Sequence, residues 1–254
     1  MRTFQKILTT WCALILALAS ASASDEPPPL STIVREVIAK DDANQKALQT
    51  MEYHETMRTE RLNEKGDVMQ RQQLWLMVRP GAPEEIQVLS EKGDALPIDP
   101  DEAALKAQGR QAAVQIKQMY FAFKDLVTRF TVTLAGRDVV QGQPAYVLAF
   151  EPKPNQPYRS QTEKVLNYLH GRMWISTRDY SVLRTQATLA APVEIAWIFA
   201  QVNTLDFHYE LDNTTGGMGP ALTQVFVKVD APFITFRQRM TVDMTQFQTR
   251  NKTN

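Results

Sequence analysis

Val193-Glu194-Ile195-Ala196-Trp197-Ile198-Phe199-Ala200-Gln201-Val202-Asn203-Thr204-Leu205-Asp206-Phe207-His208-Tyr209-Glu210-Leu211 repeats with a period of two. Val193, Ile195, Trp197, Phe199, Leu205, Phe207, Tyr209 and Leu211 take the odd positions, and Glu194, Asp206, His208 and Glu210 oppose them. Side chains of a strand alternate between its two faces, so this spacing predicts a half-buried strand, interrupted at Gln201 and Asn203. Downstream, a glycine-rich turn at 213–220 separates it from two more alternating runs. Val225, Val227 and Val229 form the first; Ile234, Phe236, Met240, Val242 and Met244 form the second.

The same period holds upstream. Met51, Tyr53, Glu55 and Met57 share one side of an extended segment, and Asn63-Glu64-Lys65-Gly66-Asp67 reads as the turn of a hairpin whose return strand is Val68 to Val78. A third strand spans Glu85 to Ser90, and Glu91 to Asp94 turns. Phe130 to Leu134, Arg137 to Val140 and Tyr146 to Phe150 continue the series, followed by Met173 to Ile175 and Val182 to Leu189.

Two segments switch to helical spacing. Leu30, Ile33, Val34, Val37 and Ile38 predict an amphipathic helix from Leu30 to about Leu48, with Ser31 or Thr32 as its cap. Asp99-Pro100 opens a second, whose stripe runs through Leu105, Gly109, Ala112, Ile116, Met119, Phe123 and Leu126. Thr162 to His170 reads as a short helix ending at Gly171. About ten antiparallel strands with interspersed helices predict an α+β fold. One strongly curved sheet covered by the N-terminal helix and the inserted helix buries both kinds of stripe.

The first residues have the three parts of an export signal. Arg2 and Lys6 supply positive charge, Ile7 to Leu18 an apolar run, and Ala21-Ser22-Ala23 a small-residue cleavage pattern. The run is short of the ~20 residues that span a bilayer. Residues 1–23 are therefore expected to be a cleavable signal, cut after Ala23 or Ser24, and 24–254 a single domain without a transmembrane span. The expected location is periplasmic, soluble or peripheral. Cys12, the only cysteine, leaves with the signal and follows Trp11, which no lipidation signal would place there. The mature chain then has no disulfide and no thiol chemistry.

Charge excludes further partners. The chain carries 28 basic and 28 acidic residues, and the signal removes two of the basic ones. No basic excess remains for a nucleic-acid backbone. His54, His170 and His208 lie far apart and outside any two-histidine helix motif, so no metal is expected. Ala103-Ala104-Leu105 after Asp99, Asp101 and Glu102 lacks calcium ligands. Gly216-Gly217-Met218-Gly219 lacks the Lys-Ser/Thr of a phosphate loop, and no G-x-S-x-G elbow occurs. No cofactor and no catalytic residue is expected.

Gly142-Gln143-Pro144-Ala145-Tyr146-Val147-Leu148-Ala149-Phe150, then Gly171-Arg172-Met173-Trp174-Ile175 and Val182-Leu183-Arg184, resemble the LolA/LolB-type lipoprotein-carrier superfamily and its outer-membrane lipoprotein-sorting relatives. The order of elements over most of the mature chain resembles it too. The resemblance implies an unclosed β-barrel whose concave apolar face, lidded by helices, holds acyl chains. Without a lipidation cysteine, the chain resembles the soluble carriers.

Methionine is an adaptable, polarizable lining, and nine of the ten methionines lie beyond Met1. Trp75, Met77, Trp174, Trp197, Phe199, Phe207 and Phe236 in strands, with Met119 and Phe123 in the inserted helix, are the candidate cavity lining. The same residues also suit a filled core. Arg172 and Arg184 are candidates for a phosphate or carboxylate headgroup, or for surface ion pairs. The leading expectation is a non-enzymatic carrier or binder of lipoprotein acyl chains or lipids. The alternative is an envelope sensor or protein-interaction module; an envelope hydrolase comes third.

Overall fold

A computed structural model describes residues 26–80, 85–93, 123–195, 200–212, 221–231 and 234–249. Three helices lie among them: α1 (Leu30–Leu48), α2 (Phe123–Arg129) and α3 (Gln161–Leu166). The strands are β1 (Met51–Leu62), β2 (Val68–Arg79), β3 (Glu85–Gly93), β4 (Phe130–Val140), β5 (Gln143–Pro152), β6 (Leu169–Ser176), β7 (Val182–Leu189), β8 (Val193–Ile195), β9 (Ala200–Leu211), β10 (Ala221–Ala231) and β11 (Ile234–Thr249). They form one unclosed, curved antiparallel sheet in the order β3-β2-β1-β11-β10-β9-β7-β6-β5-β4, with β8 also paired to β9. The edges, β3 and β4, never meet. Pairing of β1 with β11 joins the two ends of the described chain.

The alternating run from Val193 to Leu211 contains two paired strands, β8 and β9, rather than one. Val193 pairs with Val202 and Ile195 with Ala200, so β8 and β9 run antiparallel. β7 occupies the same edge of β9 further along, Ala187 opposite Phe207. β8 therefore continues the line of β7 after the break before Pro192, and both flank β9. Lys164 of α3 donates to the Glu194 carbonyl at 2.6 Å and ties that corner down.

Helix α1 has the predicted length, but its cap differs. The Pro29 carbonyl accepts from the Thr32 and Ile33 amides at 2.9 and 3.2 Å, and no side chain caps it. Pro29 cannot continue a helix upstream, so its carbonyl turns inward and Ser31 and Thr32 fall inside the first turn. The inserted helix lies outside the described residues except for its end, α2. Asp41 of α1 accepts from the Phe123 amide at 3.0 Å, and Lys153 donates to the Val127 and Thr128 carbonyls at 3.0 Å each. A carboxylate at its start and an ammonium at its end suit the helix dipole.

Two boundaries differ from expectation. The helix predicted over Thr162 to His170 stops at Leu166, capped at its start by Ser160, and Gly171 lies inside β6. The turn predicted at Glu91 is strand up to Gly93, whose φ of +131° only glycine adopts easily.

The main core forms where the helices meet β4 to β10. Ile33 and Val37 of α1, Phe123 of α2, and Val165 and Leu166 of α3 pack on Leu148, Ile175 and their neighbours. Among the described residues no helix is long and apolar enough to cross a membrane.

Candidate functional site

Strand pairing assigns each side chain to a face. The helix-bearing face carries Leu76, Glu55, Met244, Ala221 and Leu211 in one row across β2, β1, β11, β10 and β9. Leu74, Met57, Val242 and Thr223 form the adjacent row. This face has two unlike halves. Over β4 to β9 the helices fill it. Over β10, β11, β1 and β2 the described residues form two clusters of strand side chains: Met57, Val225, Met240 and Val242 in one, Tyr53, Leu76 and Val78 in the other. Leu74 and Met244 bridge them, and Phe207 joins the first to the main core.

A carboxyl and a phenol stand among these apolar rows. Glu55 is 1% exposed, with Leu76 and Met244 beside it in register. The sequence had set Glu55 on the Met51–Met57 side, and pairing places β2 and β11 on its two flanks. Tyr209 lies under α1 at a small cavity of ≈ 30 Å³ shared with Asp41 and Val37. Burial, then the Asp41 carboxylate, push its phenol up to about 12.

The candidate lining divides. Phe123, Phe207 and Phe236 lie on the helix-bearing side; Phe123 is buried in the core, and the Arg61 guanidinium stands 5.9 Å from the Phe236 ring. Trp75 and Met77 point to the opposite, outer face, because Leu74, Leu76 and Val78 take the inner positions of the same strand. Trp174 faces outward too, in a small cluster with Val140, Ala145, Val147 and Leu183. Met119, Trp197 and Phe199 lie outside the described residues.

On that outer face Trp174 anchors a polar network. Its indole N–H donates to Asp138 at 2.9 Å, and the Arg184 guanidinium lies 5.6 Å over its ring. Arg184 binds Glu210 at 2.9 Å; Gln141 and His208 approach the same carboxylate at 3.0 and 3.2 Å. Arg184 is thus an ion-paired residue, whereas Arg172 is exposed on the neighbouring row. The Trp174 hydrogen bond, then the Val139 amide, hold the Asp138 carboxyl below the usual range. The Arg184 hydrogen bond does the same for Glu210, with help from Gln141, against a smaller opposing effect of burial.

These shifts have a definite sign. A carboxyl depressed in the folded state binds fewer protons there than in the unfolded chain, so stability rises with pH through that window. The contribution of Glu210 is complete above its ordinary value of 4.5 and is lost as pH falls through the depressed folded one. Urea unfolding from pH 7 to 3 is expected to show stability dropping below about pH 4.5, and Glu210→Gln should flatten that drop. An equal slope in wild type and variant would remove Glu210 from the account.

Sequence reasoning passed over Glu60. It is buried on the outer face between Arg71 and Arg239, at 2.8 and 3.4 Å. Arg239 is 179 positions away, so no local signal marks the pair. Among the described residues no three His, Cys, Asp or Glu side chains converge as a metal site requires.

The fold thus defines a class: an open, curved antiparallel sheet with helices against one face and an extended polar surface on the other. No protein-family profile matches the chain, and no curated protein does. Among solved structures it is similar to a LolA superfamily protein of Nitrosomonas europaea, at 12% identity and a TM-score of 0.34, over 86% of this chain and 94% of that one. A DUF1329 family protein of Desulfovibrio piger is similar at 10% identity and 0.34, over 90% and 96%. So is the MucA/MucB complex of Pseudomonas aeruginosa, at 10% and 0.25, over 85% and 99%. Likenesses at these TM-scores carry no argument about ligand or partner.

Proposed function

We propose that this chain is an exported, non-enzymatic binding protein that holds an acyl chain or similar apolar guest against the helix-bearing face. One observation carries the reading. The half of that face over β10, β11, β1 and β2 presents Met57, Met240 and Met244, with Leu74 and Phe207, in clusters to which no described helix contributes. Thioether side chains adapt to a flexible hydrocarbon better than branched ones. Each CH₂ withdrawn from water contributes about 0.8 kcal/mol, so a chain of ten methylenes brings ~8 kcal/mol before the costs of ordering. No bond is made or broken; affinity and release are the whole activity.

Titration of the mature protein with dansyl-undecanoic acid tests this. Saturable enhancement of emission is expected, and Met240→Glu, which puts a charge into the strand-only cluster, should weaken it at least about tenfold, or ~1.4 kcal/mol. Circular dichroism of the variant serves as the folding control. A blank titration of the folded wild type would end the acyl reading. It would leave the interaction module, which draws on β3: that strand exposes Ile86, Val88 and Leu89, and among the described strands its outer edge has no neighbour, a place for an extended peptide.

A further inference from the structure

The outer face holds a second feature, independent of the acyl reading. β6, β7, β9, β10 and β11 enclose a cleft of ≈ 550 Å³ on the side away from the helices. Two cross-strand rows build it. Arg172, Gln186, His208 and Gln224 are paired in register, and beside them run His170, Thr188, Asp206, Phe226 and Arg239. With strands about 4.8 Å apart, the cleft crosses the sheet over ~19 Å from the strand of Arg172 to that of Arg239. It is an elongated, open groove, and its volume suits a small ligand.

Its chemistry selects the occupant. Arg172, Gln186, Asp206, Gln224 and Arg239 are all exposed, which rules out a hydrocarbon guest. Arg239 is engaged by Glu60, and the Asp206 carboxylate accepts from the Thr188 hydroxyl at 2.9 Å. Arg172 has no ion-pair partner among the described residues. Among the described residues, one cation without an ion-pair partner beside a carboxylate is too little charge for a nucleic-acid backbone. Between the arginines lie carboxamides, a hydroxyl and imidazoles, groups that both donate and accept hydrogen bonds. Phe226 adds one apolar ring face in the same row. Paired donor-acceptor groups read hydroxyls, an aromatic face takes the C–H side of a sugar ring, and a guanidinium binds a carboxylate.

We propose that this groove is a binding site for an acidic oligosaccharide of a few residues, with Arg172 on a carboxylate, Gln186, Asp206 and Gln224 on hydroxyls, and Phe226 under a ring. Calorimetric titration of the mature protein with tetragalacturonate should give saturable heat. Maltotetraose, which lacks the carboxylates, should bind at least tenfold more weakly, and Arg172→Ala should weaken tetragalacturonate at least tenfold. Gln224→Ala, equally exposed, should weaken it several-fold. Three results would each overturn the proposal: no saturable heat with tetragalacturonate, unchanged affinity in both variants, or inorganic phosphate binding as tightly as the saccharide. Dansyl-undecanoate titrations of Arg172→Ala should match wild type, so either site can fail without the other.

Discussion

Alanine at position 171 is expected to destabilise the protein by about 3 kcal/mol or more, and valine to prevent folding. A Cβ built on Gly171 would lie 2.0 Å from the Gln186 carbonyl oxygen, 2.8 Å from Phe150 Cζ and 2.9 Å from Ala187 Cα. Two of those atoms are backbone of β7, the strand paired with β6. The third belongs to a ring that is 3% exposed and set edge-on against Phe130, with centroids 5.4 Å apart. None can retreat without spreading the ladder or opening the core, which is why glycine sits mid-strand at some cost in entropy. Thermal or urea unfolding measures the loss. A Gly171→Ala variant within about 0.5 kcal/mol of wild type would show that β7 yields where the packing says it cannot.

Ile175→Ala should destabilise by about 2–5 kcal/mol, the range for truncating a buried aliphatic side chain. Ile175 is 0% exposed and stands between Tyr146 and Val182 in register, with the main core above it. Its neighbours are held by three helices and by strands on both sides, so the space left behind cannot collapse. Val139→Ala is the matched control: that side chain is 60% exposed at the edge strand, and its loss should stay within about 0.5 kcal/mol. Equal effects at both positions would mean that the sheet is not packed as described.

The same two residues show what was readable beforehand. Ile175 lies in a short apolar run, and any reading buries it. Gly171 was read as a helix stop, a sound inference from local propensity, since glycine commonly ends helices. Its real reason is the backbone of β7 at Gln186 and Ala187 together with the Phe150 ring, all in neighbouring strands. The facing of Trp75 and Trp174 is likewise decided by partners distant in sequence. In Leu74-Trp75-Leu76-Met77-Val78 both parities are apolar, so the pattern names a strand without naming its inner side. Pairing with Tyr53, Glu55 and Met57 decides it, and turns the tryptophan outward. Around Phe207 the pattern is unambiguous, because its polar neighbours Asp206 and His208 leave one apolar parity only.

Sequence by itself determined the extent of α1, the hairpin at Asn63 to Asp67 and the antiparallel strand series. Each depends on side chains a few positions apart, where turn chemistry and periodicity act directly. Only the tertiary structure decided that β1 pairs with β11, that Glu60 lies between Arg71 and Arg239, and that a polar groove faces away from the helices. Those features join residues up to 179 positions apart, and contacts at such range are selected by how the whole sheet closes its ladders and buries its apolar side, which no local stretch encodes.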